Sequence, residues 1–558
     1  MYKKMRKISN IISKKAVLKK TLLLLFLPFG TLFMSSCDGI GDFGDMNENP
    51  TQVTSVPPEY QFTRIQLQAG GNREMISRGT YRHGGSVIQQ VARTWHGGNE
   101  YSFNILNRDA NSWYMQNAYT SQVKLIEDVV HMVQEMKDEG QDVDNLMAVS
   151  RIMRVYIYHE LTDMYGDIPY FEAGKGYTDL NFTPVYDPQS EIYRDMLNEL
   201  DEAVAQLDED QPTYRSQDLF YDGSVSQWRR FGNSLRLRLA LRLVKVDPAT
   251  AEAEAVAAIN APGGLMRSND DTAYIQKLDE EGTHSTDLRG NADFYVAAEN
   301  LWNVSQTFID WLKDKEDPRI SVFAALVDGG YRGDLISTDP DSIVGLPNGW
   351  RTQDLNNDEH PSYEMVGDIH SDHNMSGSVE NAYAKINPVM WQLDGPRFFL
   401  TYAQSSLHHA EAVARGWVGG DAAQLYEEGV RAALEQLELY GSDAVIPSDY
   451  IDDYLVRNAL DENQAIKQIN EQYWAASFLS FIEGWANTRR SGYPDLEPPR
   501  LDSDELPFND ETGGVVPRRM VYPVGEEMRN PDNMQEALNR QNITTGPSMI
   551  TTPVWWDK

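Results

Sequence analysis

Apolar residues in this 558-residue chain recur at helical spacing through most of its length and almost nowhere alternate. That period limits the fold more than any other feature, because a 3.6-residue repeat sits on a helix face and cannot line one side of a strand. Residues 111–136 place Trp113, Tyr119, Val123, Ile126, Val130 and Val133 at such spacing, and 190–207 do the same with Ile192, Met196, Leu197, Leu200, Val204 and Leu207. The spacing predicts further helices over 59–78 (continued over 87–95), 146–164, 226–246, 250–260, 304–313, 398–415, 422–440, 450–460, 465–488 and 531–540. Leu235-Arg-Leu-Arg-Leu-Ala-Leu-Arg-Leu243 alternates as a strand would. Leu, Arg and Ala favour helix, however, and Trp228, Phe231 and Leu235 keep helical spacing, so the run reads as helix.

Paired helices joined by short turns point to a mainly α fold of tetratricopeptide-like pairs, although no 34-residue repeat can be counted. At about 265–395, Gly, Asp, Asn and Pro interrupt the pattern and make a loop-rich part. The tail from Pro494 is Pro-rich and is expected to wrap the body.

The first 42 residues read differently. Lys3, Lys4, Arg6, Lys7, Lys14, Lys15, Lys19 and Lys20 precede a short apolar run over 22–29, then Ser35, Ser36 and Cys37. A basic segment, an apolar segment and small residues make a secretory signal peptide over 1–36. The apolar run is far below the roughly 20 residues of a spanning helix. Cys37, the one cysteine of the chain, stands where a bacterial lipobox places the acylated thiol, with Met34 where Leu is commonest. Residues 37–58, rich in Gly, Asn and Pro, then form a lipidated tether, and 59–558 form the body. Several acyl chains hold a protein to a membrane where one does so only marginally.

Loss of residues 1–36 removes eight basic residues and no acid, taking 49 Lys and Arg to 41 against 84 acids and the net charge to −43. So acidic a body lacks the basic footprint of a nucleic-acid binder and of a face lying on anionic lipid. A single cysteine excludes an internal disulfide.

Catalytic signatures are near misses. His159-Glu160-Leu-Thr-Asp163 approaches H-E-x-x-H, with Asp163 in place of the second His and no third ligand, so a core helix is the first reading and a metal site the second. Asp354, Asn356 and Asp358, followed by His360, Asp368, His370, Asp372 and His373, have the alternate spacing of a calcium loop. Glu359 replaces its Gly and Met365 its Glu, which makes a solvated acidic loop the first reading and calcium the second. No cofactor is expected. No nucleophile elbow or phosphate loop occurs, but 84 acids leave a carboxylate pair for glycoside hydrolysis open. Aromatics suit a sugar, whose C–H face stacks on a ring while its hydroxyls seek amides and acids. Trp95, Asn99 and Tyr101 share a loop loosened by Gly97 and Gly98, and Tyr295, Trp302, Trp350 and Trp391 lie in or near the irregular part. Loops over a rigid scaffold carry ligand groups disproportionately, whereas Trp and Tyr are also usual in cores.

Motifs in a fixed order carry a resemblance. They are Asn47-Glu-Asn-Pro50, Leu161-Thr-Asp-Met-Tyr-Gly-Asp-Ile-Pro-Tyr170, Trp228-Arg-Arg-Phe-Gly-Asn-Ser-Leu-Arg-Leu-Arg-Leu239, Asp317-Pro-Arg319, Gly345-Leu-Pro-Asn-Gly349, His409-Ala-Glu-Ala-Val-Ala-Arg-Gly-Trp417, Glu483-Gly-Trp-Ala-Asn-Thr-Arg-Arg490 and Pro517-Arg-Arg-Met-Val-Tyr-Pro523. With them the chain resembles the SusD/RagB family of outer-membrane nutrient-binding lipoproteins, apart from Gln404, where similar proteins often carry Glu. The resemblance implies a helical body packed against a loop-rich ligand-binding part, anchored outside the outer membrane, with Asp38 and Asp42 resembling a surface-export signal. It implies a lid on a SusC-like TonB-dependent transporter, a glycan or peptide as ligand, and no catalysis. Of the family's contact regions only the loop around Trp95 carries over. The ligand residues expected are therefore Trp95, Asn99, Tyr101, Tyr295, Trp302 and Trp391, with a glycan favoured over a peptide on aromatic content.

Overall fold

The computed structural model of the chain describes residues 56–93, 108–176, 179–281, 288–297, 302–328, 333–349, 363–376, 379–497, 515–544, 546 and 548–558. The chain divides into two units, Met1–Val56 and Pro57–Lys558, and every element below belongs to the second. Helix α1 (Pro58–Ala69) begins on a proline, whose missing N–H costs nothing in a first turn. It packs on α2 (Lys124–Asp138), and α2 on α3 (Asp144–Tyr165). Helices α4 (Gln189–Gln206), α5 (Val225–Arg242) and α6 (Pro248–Asn260) follow, each against the one before. Helix α7 (Gln306–Asp314) stands in the loop-rich part. Then come α8 (Tyr402–Ala414), paired with α9 (Ala422–Glu435), and α10 (Ser448–Arg457), α11 (Ala465–Ala476), α12 (Phe481–Ser491) and α13 (Pro531–Arg540). The fold is mainly α, with helices packed in successive pairs as the periodicity predicts.

Strands are more numerous than the sequence pattern allows. A five-stranded sheet runs β1-β3-β6-β4-β5, with β1 (Val91–Ala92), β3 (Asn303–Val304), β4 (Ala324–Asp328), β5 (Asp334–Ser337) and β6 (Lys385–Ile386). A second sheet pairs β2 (Ala273–Gln276) with β7 (Pro396–Leu400), antiparallel. Four helix expectations are corrected; the run over 59–78 ends at Ala69 and resumes at Arg73. Residues 87–95 enter β1 after Gln89, whose φ of +53° ends helical backbone. Residues 398–415 begin as β7. The 465–488 run is two helices, parted where Leu479 takes φ +68°.

Helix α5 is buried on nearly every side, which explains its missing amphipathic signal. Its arginines tie its neighbours together. Arg236 donates to Glu254 of α6 at 2.7 Å and to Asp201 of α4. Arg238 donates to Gln404 of α8 at 2.7 Å. Arg242 reaches Glu483 of α12 at 2.6 and 2.7 Å and Asp163 of α3 at 3.3 Å. Burial alone would raise the Glu483 carboxyl, but Arg238 and Arg242 hold it well below the carboxylate range. Gln404 caps its own helix as well, its amide accepting from Thr401 N while Thr401 Oγ1 accepts from Gln404 N. A second cluster joins α8, α11 and α12. Arg490 donates to Glu411 at 2.6 and 2.8 Å, and Asn470 and Asn487 complete its fork.

The tail locks the end of α3. Gly166 takes φ +78°, backbone that favours glycine, and a Cβ there would push aside Gln541 Oε1, 2.2 Å away. Gln541 accepts from Arg519 at 2.8 Å, and Arg519 donates to the Tyr165 carbonyl. Asp167 accepts from Gln189 N at 2.9 Å and from Arg540 at 2.7 Å. Trp556 is buried, with its indole N–H on Asp163 at 2.9 Å.

Candidate ligand-binding region

The five-stranded sheet brings together the roots of the loops singled out by sequence. β1 pairs with β3 through Val91↔Val304 and Ala92↔Asn303. Beside them, Ser305 bridges Leu346. Asn348 accepts from Ser305 Oγ at 2.5 Å and donates to the Val91 carbonyl at 3.0 Å. The Gly345-Leu-Pro-Asn-Gly349 motif thus clamps three segments, and Gly345 is glycine because a Cβ would lie 2.4 Å from Gln306 Cα. The chain continues from Arg93 into 94–107, from Gly349 into 350–362, and reaches Trp302 from 298–301, so all three stretches are rooted at adjoining backbone. Trp95, Asn99, Tyr101 and Trp350 lie outside the described residues, as do Asp354, Asn356, Asp358 and His360 of the acidic cluster.

Trp302 corrects an expectation. It is 1% exposed, with Tyr81 at 5.4 Å and the Arg93 guanidinium 4.8 Å over its ring, so it is a core residue and offers no face to a ligand. Tyr295 belongs to a helical turn, Ala292–Ala297, and its side chain is outside the described set. Trp391 is half-buried, its ring 5.8 Å from Phe294 and its N–H on the Ile386 carbonyl at 3.1 Å. That bond fixes the ring to β6 and hence to the same sheet. Trp391 ends the turn Pro388–Trp391, and Pro388 and Val389 line an open cleft of about 970 Å³. Leu335, Ile446 and Tyr450 form apolar walls, with Asp341 and Arg457 among the polar groups. Its size is that of a small-ligand site.

The zinc-like motif is structural. His159 Nδ1 donates to the Tyr156 carbonyl at 2.5 Å, and burial pushes the imidazole down to about 3. Asp163 is spent on Tyr193, Trp556 and Arg242. Among the described residues, no three His, Cys, Asp or Glu are grouped to hold a metal. Between His159 and Asp163 the sequence hides a different feature. Glu160 accepts from Tyr156 at 3.2 Å and Tyr114 at 3.4 Å, in a chamber of about 20 Å³ shared with Arg397 and Glu483, room for about one water. Burial pushes Glu160 up to about 7 against the pull of Arg397. No local signal could have found it, because its neighbours come from α3, β7, α12 and the helix Arg108–Asn117 that carries Tyr114.

A family model for starch-binding proteins associating with the outer membrane, SusD-like, matches residues 50–523. Among solved structures, a chitin-binding protein is 32% identical, with TM-score 0.74, over 90% of this chain and 99% of that one. A Bacteroidetes SusD-like protein is 28% identical, with TM-score 0.73, over 90% and 100%. A SusD homologue from Bacteroides uniformis shares the fold at 23% identity and TM-score 0.68, over 90% and 100%. No curated protein matches the chain.

Proposed function

Since this chain belongs to the SusD-like family, we propose that it is a surface lipoprotein, acylated at Cys37, that captures an oligosaccharide and passes it to a SusC-like TonB-dependent transporter without chemical change. The observation that carries the glycan reading is the likeness, over 90% of the chain, to a chitin-binding protein at 32% identity. The residues proposed to meet the sugar are Trp95, Asn99 and Tyr101, with Tyr295 and Trp391. In support, the chain leads from β1 into the stretch that carries Trp95, and Trp391 is bonded to β6 of the same sheet.

Calorimetric titration of residues 38–558 with chitin oligosaccharides, other glycans and a peptide panel tests this. Binding to a glycan with no products is expected. Trp95→Ala should weaken it by about 1–3 kcal/mol, the cost of truncating an aromatic anchor, with little change in thermal midpoint. A lowered midpoint with affinity intact would make Trp95 structural and move the site to Tyr295 and Trp391. Binding to peptides alone would favour the family's peptide-capturing branch, and turnover would favour a carboxylate hydrolase.

A further inference from the structure

A cleft of about 650 Å³ opens between α2, α3, α4 and the loop that follows α3, and none of the residues that line it lies on a strand. Charges of both signs line it in nearly equal number. The bases are Lys137, Arg151, Arg154 and Lys175, with exposed His131. The acids are Glu127, Asp128, Asp179, Asp195 and Glu199. Most of these groups are already spent on a partner. Arg154 donates to Glu127 at 2.7 Å and to the Tyr170 hydroxyl at 2.9 Å, and that hydroxyl donates to Asp195 at 2.7 Å. Arg151 donates to Glu199 at 2.7 Å and to Glu202 at 2.5 Å. Lys137 donates to Asp144 at 2.8 Å, and Asp128 accepts from Lys124. The two arginine pairs are half-buried, so each keeps part of its polar surface open to the cleft. Phe171 adds an aromatic ring, 41% exposed and set edge to face against Tyr170 at 4.9 Å. The loop that carries it is fixed at both ends. Asp187 accepts from the Phe171 N–H at 2.9 Å. Gly174, at φ +76°, lies so near α2 that a Cβ would meet Glu127 Cβ at 2.7 Å.

We infer that this cleft is a second saccharide site, taking a neutral sugar and apart from the region of Trp95 and Trp391; the inference rests on the glycan reading proposed above. The state of the charges selects the ligand class. Balanced signs give neither an anion nor a cation a net pull. A charged ligand gains its contact only by drawing one partner from a pair and leaving the other half-buried and unpaired, which is costly. A hydroxyl makes no such demand. It donates to a lone pair that the carboxylate still has and accepts from an N–H that the guanidinium still has, with the ion pair intact. Guanidinium–carboxylate pairs therefore offer each sugar hydroxyl both a donor and an acceptor at fixed spacing. Phe171 supplies an apolar face for the C–H side of the ring. The pairs hold these side chains in place before a ligand arrives, so little rotamer freedom is lost on binding.

The test is calorimetric titration of the full lipidated chain, in a detergent without a sugar headgroup, with chitohexaose and the other glycans of the panel above. The parent, Phe171→Ala and Trp95→Ala are compared. The parent should bind two ligands per chain. Phe171→Ala should weaken one of the two phases at least tenfold, as loss of an aromatic anchor does, and leave the other phase and the thermal midpoint unchanged. The phase lost with Phe171→Ala should persist in Trp95→Ala and should not weaken as salt is raised. One ligand per chain in the parent, unaffected by Phe171→Ala, overturns the second site and leaves the glycan reading standing. A single phase lost with either variant means one site and also overturns it. No glycan bound by the parent overturns both readings. A Phe171-dependent phase seen only with charged glycans or peptides overturns the neutral-sugar assignment. Hydrogen exchange of the parent, with and without the glycan that binds, reads the cleft with no substitution. Slowed exchange over 171–176 supports the site, and unchanged exchange there at saturation overturns it.

Discussion

At Glu160, burial raises the carboxyl from an ordinary value of 4.5 to about 7, with Arg397 and the Tyr156 and Arg238 groups opposing it. The unfolded chain releases this proton near 4.5 and the folded chain holds it to about 7. Between those values the folded state binds more protons, so the contribution of Glu160 is most favourable below 4.5 and is lost as pH rises through 7. Glu160→Gln keeps the size and the bond to Tyr156 and removes the titration. Urea unfolding of the pair should show the variant gaining on the parent by about 1–3 kcal/mol between pH 4.5 and 8. A constant difference across that range would mean that Glu160 titrates normally. The test compares two proteins differing at one group. Glu411 and Glu483, held below the carboxylate range by Arg490 and by Arg238 and Arg242 despite burial, lose their contribution only as pH falls below that range, outside the window compared.

Among the elements, α8, α11 and α12 meet at Arg490 and Glu411, both fully buried. Removing one partner leaves the other charge buried and unpaired, so Arg490→Ala is expected to cost about 3–5 kcal/mol in urea unfolding. Arg431→Ala breaks an exposed pair with Asp452 and should cost under about 1 kcal/mol. Similar costs for the two would mean that the buried cluster is wet. The same contrast explains what could be read from sequence. Helix α4 buries one face, and its periodicity located it within a residue at each end. Helix α13 was legible from Pro531 at its first turn. Strands β1, β3 and β6 have two residues each and exist only through pairing with remote segments, so no alternation could mark them. Trp302 was misread for the same reason, since its covering groups, Tyr81 and Arg93, lie more than two hundred positions earlier in the sequence. Periodicity carried the helical pairing, and the motifs of the family resemblance prove to be joints: Asp317 with Arg319, Gly345 with Gln306, Glu483 with Arg242.

For the whole molecule, anchoring and charge act together. On the proposed function, Cys37→Ala should move the protein from the membrane fraction to the medium or periplasm, read by fractionation of intact cells; retention at the surface would mean another anchor. The tail adds a constraint of timing. Met549, Ile550, Val554 and Trp556 are core residues, and Trp556 closes on Asp163 of α3. A chain made at about 5–20 residues per second takes tens of seconds to travel from α3 to that tryptophan. Throughout that interval Asp163 lacks the indole N–H of Trp556. The polypeptide is therefore held back from closing its centre until residue 556 has been made. On the proposed function such a chain would stay threadable for export, and truncation within its closing segment should cost the whole body, not one end of it.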